Sequence, residues 1–162
     1  IFAPMIIPDI VLAIALLSMF SLLNIKMGLH TITVSHVVFN LAFVCAVVRA
    51  RLKSFDWSIV EASADLGATT FTTLYRVVIP VLMPAIVAGG LLAFTLSVDE
   101  FIIAFFTAGA GRSSITLPMQ IFAMIRFGVT PEINALATLV ISVSVVALAL
   151  SQRLNKGGLP GQ

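Results

Sequence analysis

The residues of this sequence with the clearest chemical potential are three carboxylates within or at the edge of apolar runs. Asp9 follows Pro8 at the start of one run, and Asp99 and Glu100 stand together inside another. An ionised carboxylate at the centre of a membrane-spanning helix costs about 2.5–3.5 kcal/mol on the mildest insertion scale, so such residues usually face a cavity, a partner or a substrate path. Carboxylates pair with ammonium groups. Asp99 and Glu100 are therefore candidates to contact a small cation, with structural pairing to a basic side chain as the alternative. Asp9 either lines the same path or caps its helix.

The spacing of these acids sets where they lie on their helix. If one helix includes both Asp99 and Glu100, they are about 100° apart round its axis and can border one wet cavity. Asp99 is 19 residues after Pro80, which is about 28 Å along a helix. With Pro80 on the cytoplasmic side, Asp99 is expected in the outer half of a bilayer. Three aromatic residues are near enough in sequence to offer cation–π faces: Phe94, Phe101 and Phe105.

A polar segment, residues 54–80, interrupts the apolar runs and contains the stretch EASADLG at 61–67. Ser58 and Glu61 have the spacing of a capping box, and Gly67 suits the left-handed position that ends a helix. A second helix over 71–78 is expected to be capped by Thr69 or Thr70 and to stop at Pro80. One interpretation is an amphipathic loop that lies on lipid headgroups. The other is a docking element whose small residues let a partner approach closely.

The other polar residues predict structural roles. His36 and Asn40 are four apart on one helix face, which favours an interhelical hydrogen bond over a metal site because no third ligand is evident. The single Cys45 excludes a disulfide framework. The sequence contains neither a phosphate-binding glycine loop nor a nucleophile–base arrangement, so we expect no enzymatic activity and no cofactor bound by this subunit.

The composition indicates a membrane protein. Hydrophobic residues make up 60% of the 162 residues, charged residues 10%, and the mean hydropathy is +1.15. Soluble domains have about 25% charged residues. The net charge of +2 comes from scattered basic residues, so nucleic-acid binding is not expected. The fold class we expect is an all-α, polytopic bundle of transmembrane helices, because open sheets cannot span lipid.

Four apolar segments are long enough to be considered as spans: residues 6–23, 32–48, 81–106 and 133–151. The chain opens in an apolar run, so we expect it to begin inside or beside a helix, with upstream spans missing. Basic residues favour a cytoplasmic location for residues 49–79 under the positive-inside rule. Residues 115–127 are too short to cross and are expected at the interface or packed back onto the bundle. The last span is expected to begin with Thr130 as cap, Pro131 at the first position and Glu132 in the first turn.

The stretch EASADLGATTFTTLYRVVIP at 61–80 resembles the EAA signature of ABC importer permeases. Glu61, Ala62, Gly67 and Pro80 match the pattern in register, and Ser63 replaces its second Ala. The resemblance covers essentially the whole chain. Within the family, the sequence is similar in particular to the spermidine/putrescine permeases. Four stretches carry that likeness: IIPDIVLAIALL at 6–17, SVDEFIIAFF at 97–106, LPMQIFAMIRFGV at 117–129 and TPEINALATL at 130–139. Where that subfamily has two Asp residues, this chain has Asp99 and Glu100.

The resemblance implies a transmembrane domain of the type I ABC importer kind over residues 1–162, in the bacterial inner membrane. Residues 54–80 would then be the coupling segment that meets a cytoplasmic ATPase dimer, with contacts expected at Glu61, Ala62, Ser63, Asp65, Gly67 and Pro80. It further implies ATP and Mg on that ATPase, a second permease subunit, a periplasmic or lipid-anchored solute-binding protein, and a small cationic solute whose path is lined by Asp99, Glu100 and Asp9.

Three alternatives stay open beside the polyamine permease that the resemblance implies. Related permeases carry other solutes, including opines, phosphonates and metal ions. An ion-driven secondary transporter or channel would explain the intramembrane acids but not the spaced motif from Glu61 to Pro80. A purely structural membrane subunit would use Asp99 and Glu100 for assembly.

Overall fold

The computed structural model describes residues 3–126, 128 and 131–156, and within these ranges the chain is helical without strands. Two compact units divide the chain, Ile1–Met119 and Gln120–Gln162. The α-helices are α1 Ala3–Ile6, α2 Asp9–Leu22, α3 Leu29–Lys53, α4 Ser58–Asp65, α5 Thr70–Thr73, α6 Ile79–Asp99, α7 Ile102–Thr107, α8 Leu117–Ile125 and α9 Pro131–Lys156. The expected all-α class is confirmed.

Within the described part of the chain, two helices are long and apolar enough to cross a membrane. They are α3, with 25 residues, and the helix Thr70–Asp99, with 30 residues. Asp9–Leu22 and Pro131–Val143 are apolar but shorter. The expected count of four spans therefore stays a prediction. At the start of α9 the structure confirms Pro131 as first residue and Glu132 in the first turn, whereas Thr130 lies outside the described residues.

The helix Thr70–Asp99 corrects the prediction that a helix would stop at Pro80. The chain passes from α5 through a single π turn, Leu74–Val78, into α6 without a break. In the π turn the N–H of Ile79 donates to the carbonyl of Leu74, five residues back. This wider turn shifts the hydrogen-bonding pattern just before Pro80, and a proline in the first turn of the following α-helical segment is tolerated.

The prediction of one helix over residues 81–106 is also wrong. α6 ends at Asp99, and Glu100 has an extended backbone with φ −70° and ψ 115°. α7 then begins at Ile102. Asp99 and Glu100 are therefore not two positions 100° apart on one helix, because Glu100 lies in the break between two helices.

α3 and α6 pack against each other in antiparallel register. Gly89 is buried against Val44, where an added Cβ would lie 3.3 Å from the Val44 Cγ1 atom. Eight residues further along α6, Ser97 Oγ is 2.6 Å from Nδ1 of His36, which is eight residues earlier on α3. The absent side chain of Gly89 lets the two backbones approach, as small residues do between membrane helices.

α7 is the most buried short element of the first unit. Its Ile103 lies in a hydrophobic core. The other buried members of this core are Leu12, Ala13, Leu16 and Phe20 of α2 and Phe39 of α3. At the other end of α7, Thr107 accepts at its carbonyl a 2.7 Å hydrogen bond from the buried Thr31 hydroxyl of α3. Met119 of α8 packs on Ile32 and Ala104, so the start of α8 packs back onto the bundle as expected.

Candidate functional site

Glu100 occupies the break between α6 and α7, and its side chain caps the first turn of α7 from the position before Phe101, the N-cap residue. Its Oε1 atom accepts a 2.6 Å hydrogen bond from the backbone N–H of Ile103. This is the arrangement by which an acidic side chain satisfies a free donor in the first turn of a helix. The cap holds the half-buried Glu100 carboxylate at the start of α7.

Asp9 and Asp99 lie within electrostatic range of the Glu100 carboxylate. Both interact unfavourably with it, as like charges do. Asp99, the last residue of α6, is exposed, whereas Asp9, the first residue of α2, is half-buried. We call these three residues the acidic cluster. The structure thus brings together acids that are 90 residues apart in the sequence.

The interpretation of Asp9 as a helix cap is not confirmed. Pro8 is the N-cap residue of α2, and no side chain accepts a capping hydrogen bond there. Asp9 stands one position later, where its negative charge still interacts favourably with the positive end of the helix dipole.

Aromatic side chains follow Glu100 directly in the sequence: Phe101 just before α7, and Phe105 and Phe106 within it. The ring centroids of Phe101 and Phe105 are 5.5 Å apart, and those of Phe105 and Phe106 are 5.8 Å apart. Phe105 is exposed, as is Phe94 on α6. Exposed rings near carboxylates supply both apolar surface and cation–π faces for an organic cation.

His36 connects α3 to α6 close to the acidic cluster. Its Nδ1 bonds to the Ser97 hydroxyl, two residues before Asp99. Asn40 donates from Nδ2 to the carbonyl of His36, so its hydrogen bond stays within α3. The predicted interhelical hydrogen bond is therefore confirmed for His36 and wrong for Asn40. Among the described residues no group of three or more potential metal ligands occurs.

The start of α4 differs from the predicted capping box. Ser58 is already the first helical residue, and its backbone N–H donates a 3.0 Å hydrogen bond to Oδ1 of Asp56. No side-chain hydrogen bond caps the helix at Trp57, its N-cap residue. Hydrogen bonds from the Ser58 side chain and backbone hold the pKa of the exposed Asp56 below its usual value of 3.8. Asp56 makes a local turn that takes Ser58 away from the cap position.

The end of α4 confirms the role expected of Gly67. Gly67 has φ 78°, its N–H donates to the Ala64 carbonyl at 2.8 Å, and the N–H of Ala68 donates to the Ser63 carbonyl at 3.1 Å. These two bonds form a Schellman motif, which satisfies the last carbonyls of the helix. An added Cβ on Gly67 would meet nothing within 4 Å, so the requirement for glycine comes from the backbone conformation.

A side-chain hydrogen bond joins α4 to the long helix. The hydroxyl groups of Ser63 and Thr73 are 3.0 Å apart, and Thr73 is buried. Thr69 caps α5, because its hydroxyl accepts a 3.3 Å hydrogen bond from the N–H of Thr72. Thr69 is one of the two residues expected to cap this helix. The other residues expected to contact the partner are exposed: Glu61, Ala62, Asp65, Gly67 and Pro80. Four apolar side chains of the same segment are exposed as well, namely Trp57, Leu66, Phe71 and Tyr75.

Comparison with protein families gives a match over nearly the whole chain. Residues 1–156 match the family described as "Binding-protein-dependent transport system inner membrane component". The chain belongs to this family. It is therefore an inner-membrane component of a transport system.

Curated permeases are similar to the chain over most of its length. The spermidine/putrescine transport system permease protein PotC of Escherichia coli (strain K12) is 43% identical over 160 residues, which cover 99% of this chain and 60% of PotC. PotC of Haemophilus influenzae is 40% identical over 155 residues, 96% of this chain and 60% of that protein. The putrescine transport system permease protein PotI of E. coli K12 is 43% identical over 164 residues, 95% of this chain and 58% of PotI. The chain thus spans about 60% of the length of these relatives.

The site includes polar contacts that the sequence motifs did not predict. Ser97, Thr73 and Asp56 each make a hydrogen bond that fixes part of the site. Of these, only Asp56 carries a local signal, since an Asp two residues before a helix start commonly forms such a turn. Ser97 and Thr73 find their partners only through the packing of helices.

Proposed function

We propose that this chain forms part of the translocation path of an ABC importer for polyamines such as spermidine and putrescine. The observation that carries the proposal is the acidic cluster, because the described charged groups that act on Glu100 are Asp9 and Asp99, both acidic. Polyamines are flexible polycations in which methylene chains separate ammonium groups. The names of the similar proteins PotC and PotI, both polyamine permeases, support the same solute class.

The proposed role of the acidic cluster follows from charge and exposure. Asp99 is exposed at the end of α6, where an ammonium group can approach without displacing protein atoms. Charge-assisted hydrogen bonds between ammonium and carboxylate are stronger than neutral ones. A bound cation would also relieve the repulsion among the three acids. Phe101 and Phe105 would then contact the methylene chain.

The proposed role of residues 54–80 is coupling to a cytoplasmic ATPase dimer, which binds ATP and Mg. α4 exposes the small Ala62 and the acidic Glu61 and Asp65 beside the apolar Leu66. A short helix with small exposed residues and an apolar end suits a cleft in a partner protein. The Ser63–Thr73 hydrogen bond links α4 to the base of the long helix, so movement of α4 would be passed to the membrane helices.

The remaining partners proposed for the importer follow from the family description. A binding-protein-dependent system uses a solute-binding protein, here periplasmic or lipid-anchored, to deliver the cation on the outer side. A second permease subunit would complete the path. Exposed apolar side chains along α3 and α6 would contact this subunit or lipid.

The test is uptake of labelled spermidine by the whole permease reconstituted with its ATPase and binding protein, with and without internal ATP. Putrescine, an amino acid, a sugar, a phosphonate and a divalent metal ion serve as competitors. We expect ATP-dependent uptake that only putrescine inhibits. Inhibition by another competitor or no uptake would refute the polyamine assignment, and uptake without ATP would refute the ABC mechanism.

A further inference from the structure

The hydrogen bond between His36 and Ser97 lies near the acidic cluster but includes none of its three residues. Ser97 is two residues before Asp99 on α6, which is about 3 Å along the axis. The 2.6 Å distance between His36 Nδ1 and Ser97 Oγ is a short hydrogen bond between α3 and α6. Of the described polar contacts between α6 and α3, this one is nearest to the end of α6.

The direction of this hydrogen bond depends on the tautomer of the His36 ring. Serine hydroxyls in helices commonly donate to a carbonyl four residues back, as Ser35 does to Thr31, but the Ser97 hydroxyl has its contact with His36. If Ser97 donates, Nδ1 accepts and the proton of the neutral ring is on Nε2. In the opposite tautomer Nδ1 donates to the Ser97 hydroxyl. In either tautomer, Nε2 of His36 and, one turn along α3, Oδ1 of Asn40 are buried without a hydrogen-bond partner among the described residues.

Two contacts in the interface between α3 and α6 have different roles. Gly89 against Val44 sets how closely the helices approach, and His36 with Ser97 sets their register eight residues further on. Only the second contact is directional, because a hydrogen bond depends on angle as well as distance. It therefore controls rotation and sliding of the last turns of α6, which carry Asp99.

We propose that His36 is a positioning residue for the acidic cluster: through Nδ1 it holds Ser97, and thereby sets where Asp99 stands relative to Glu100 and Asp9. The role in cation transport rests on the function proposed above, whereas the structural role does not. His36 itself does not contact the cation. Its loss changes the affinity for the cation by moving Asp99.

The first experiment measures the position of the end of α6 directly. Spin labels at Leu41 and Val98, both exposed, in a Cys45→Ser background of the whole permease report the distance between α3 and the last turn of α6 by dipolar EPR. His36→Phe keeps a ring but has no acceptor for Ser97, and is expected to shift or broaden the distance distribution. His36→Asn places an amide atom where Nδ1 stood, bonded to Cγ, and is expected to restore it. His36→Gln places its amide at the Nε2 position and is expected to behave like His36→Phe.

The second experiment measures spermidine uptake at equal amounts of inserted protein. We expect His36→Phe and His36→Gln to raise the half-saturating concentration about tenfold, which corresponds to about 1.4 kcal/mol, with an unchanged maximal rate. His36→Asn should stay close to wild type. His30→Phe is the matched control, because His30 is the other of the two histidines and is exposed in the first turn of α3.

The outcomes separate this inference from the proposed function. An unchanged distance distribution in His36→Phe, or equal effects of Phe and Asn in both experiments, would overturn the inference. A loss of inserted protein without any change in half-saturation would indicate a structural role only and would also overturn it. If the wild type transports no polyamine, the proposed function fails, and the EPR distances alone decide whether His36 positions Asp99.

Discussion

The backbone N–H of Ile103 donates a 2.6 Å hydrogen bond to the carboxylate of Glu100. One residue therefore has two roles, because it starts α7 as a cap and contributes a negative charge to the acidic cluster. The two roles need different atoms. Capping needs an oxygen acceptor, whereas attraction of a cation needs the charge.

Replacement of Glu100 can separate these roles. Glu100→Gln keeps an oxygen that accepts from Ile103 but removes the charge, so we expect weaker spermidine uptake with normal amounts of inserted protein. Glu100→Ala removes both, and loss of the cap should cost about 1 kcal/mol of stability. Uptake kinetics and the thermal stability of the purified permease measure the two effects. Equal stability of Gln and Ala variants would contradict the capping role.

Asp99→Asn tests whether the exposed acid of the cluster serves transport or assembly. The change keeps the shape of the side chain and removes its charge, so we expect uptake of spermidine to fall by more than the recovery of the assembled complex. Recovery is measured by co-purification of the permease with its ATPase. A parallel loss of uptake and recovery would show that Asp99 pairs with another subunit.

Gly67→Ala tests the backbone conformation at the end of α4. A residue with a Cβ in the left-handed region costs about 1–2 kcal/mol, and nothing near Gly67 would clash with the methyl group. We expect reduced coupling of ATP hydrolysis to uptake, and a stronger effect for Gly67→Pro. Gly90→Ala is the matched control, since Gly90 is exposed in α6 with nothing within 4 Å. Normal coupling in Gly67→Pro would refute the coupling role of this segment.

Gly89→Val tests the close approach of α3 and α6. A Cβ there would be 3.3 Å from the Val44 Cγ1 atom and 3.5 Å from its Cα atom, so the larger side chain must push the helices apart. Overpacking of this kind typically costs about 1–3 kcal/mol. Thermal unfolding should therefore occur at lower temperature in Gly89→Val than in Gly90→Val. Equal values for the two variants would place Gly89 outside the helix contact.

Ser58→Ala tests the turn that precedes α4. The Ser58 side chain and backbone N–H lower the pKa of Asp56, so the folded state favours the ionised carboxylate. The resulting stabilisation is present above the unfolded pKa and is lost as the pH falls through the lower folded pKa. In Ser58→Ala the pKa of Asp56 should rise towards 3.8 while the backbone bond remains. NMR titration of the carboxyl carbon measures this, and an unchanged pKa would contradict the side-chain contribution.

The features predicted correctly from the sequence are those that depend on local chemistry. The apolar runs predicted helices because lipid leaves no other arrangement for an open chain. Gly67 was predicted to take the left-handed conformation because glycine alone adopts it at little cost. Thr69 was one of two expected caps, and its neighbour Thr70 lies inside the helix instead.

The wrong predictions have two causes. Some arise where two local signals compete, and others depend on contacts between residues that are far apart in the sequence. The Ser58–Glu61 spacing fits a capping box, but Asp56 captures the Ser58 N–H first. The run 81–106 is apolar on both sides of Glu100, so hydropathy does not reveal the break there. Beyond the break, Ile103 packs against residues of α2 that are far away in the sequence. His36 and Ser97 are 61 residues apart, and only the register of α3 on α6 brings them together.

The unbroken helix from Thr70 to Asp99 also has a mechanical consequence. Its 30 residues make a lever about 45 Å long at 1.5 Å per residue. The Ser63–Thr73 hydrogen bond attaches α4 near one end of this lever, and Asp99 is the other end. If this helix, which has Pro84 in its interior, moved as one body, a tilt of about 5° at the base would displace Asp99 by about 4 Å over this length. Under the coupling role proposed for residues 54–80, a small angular movement of α4 would therefore change the distances within the acidic cluster.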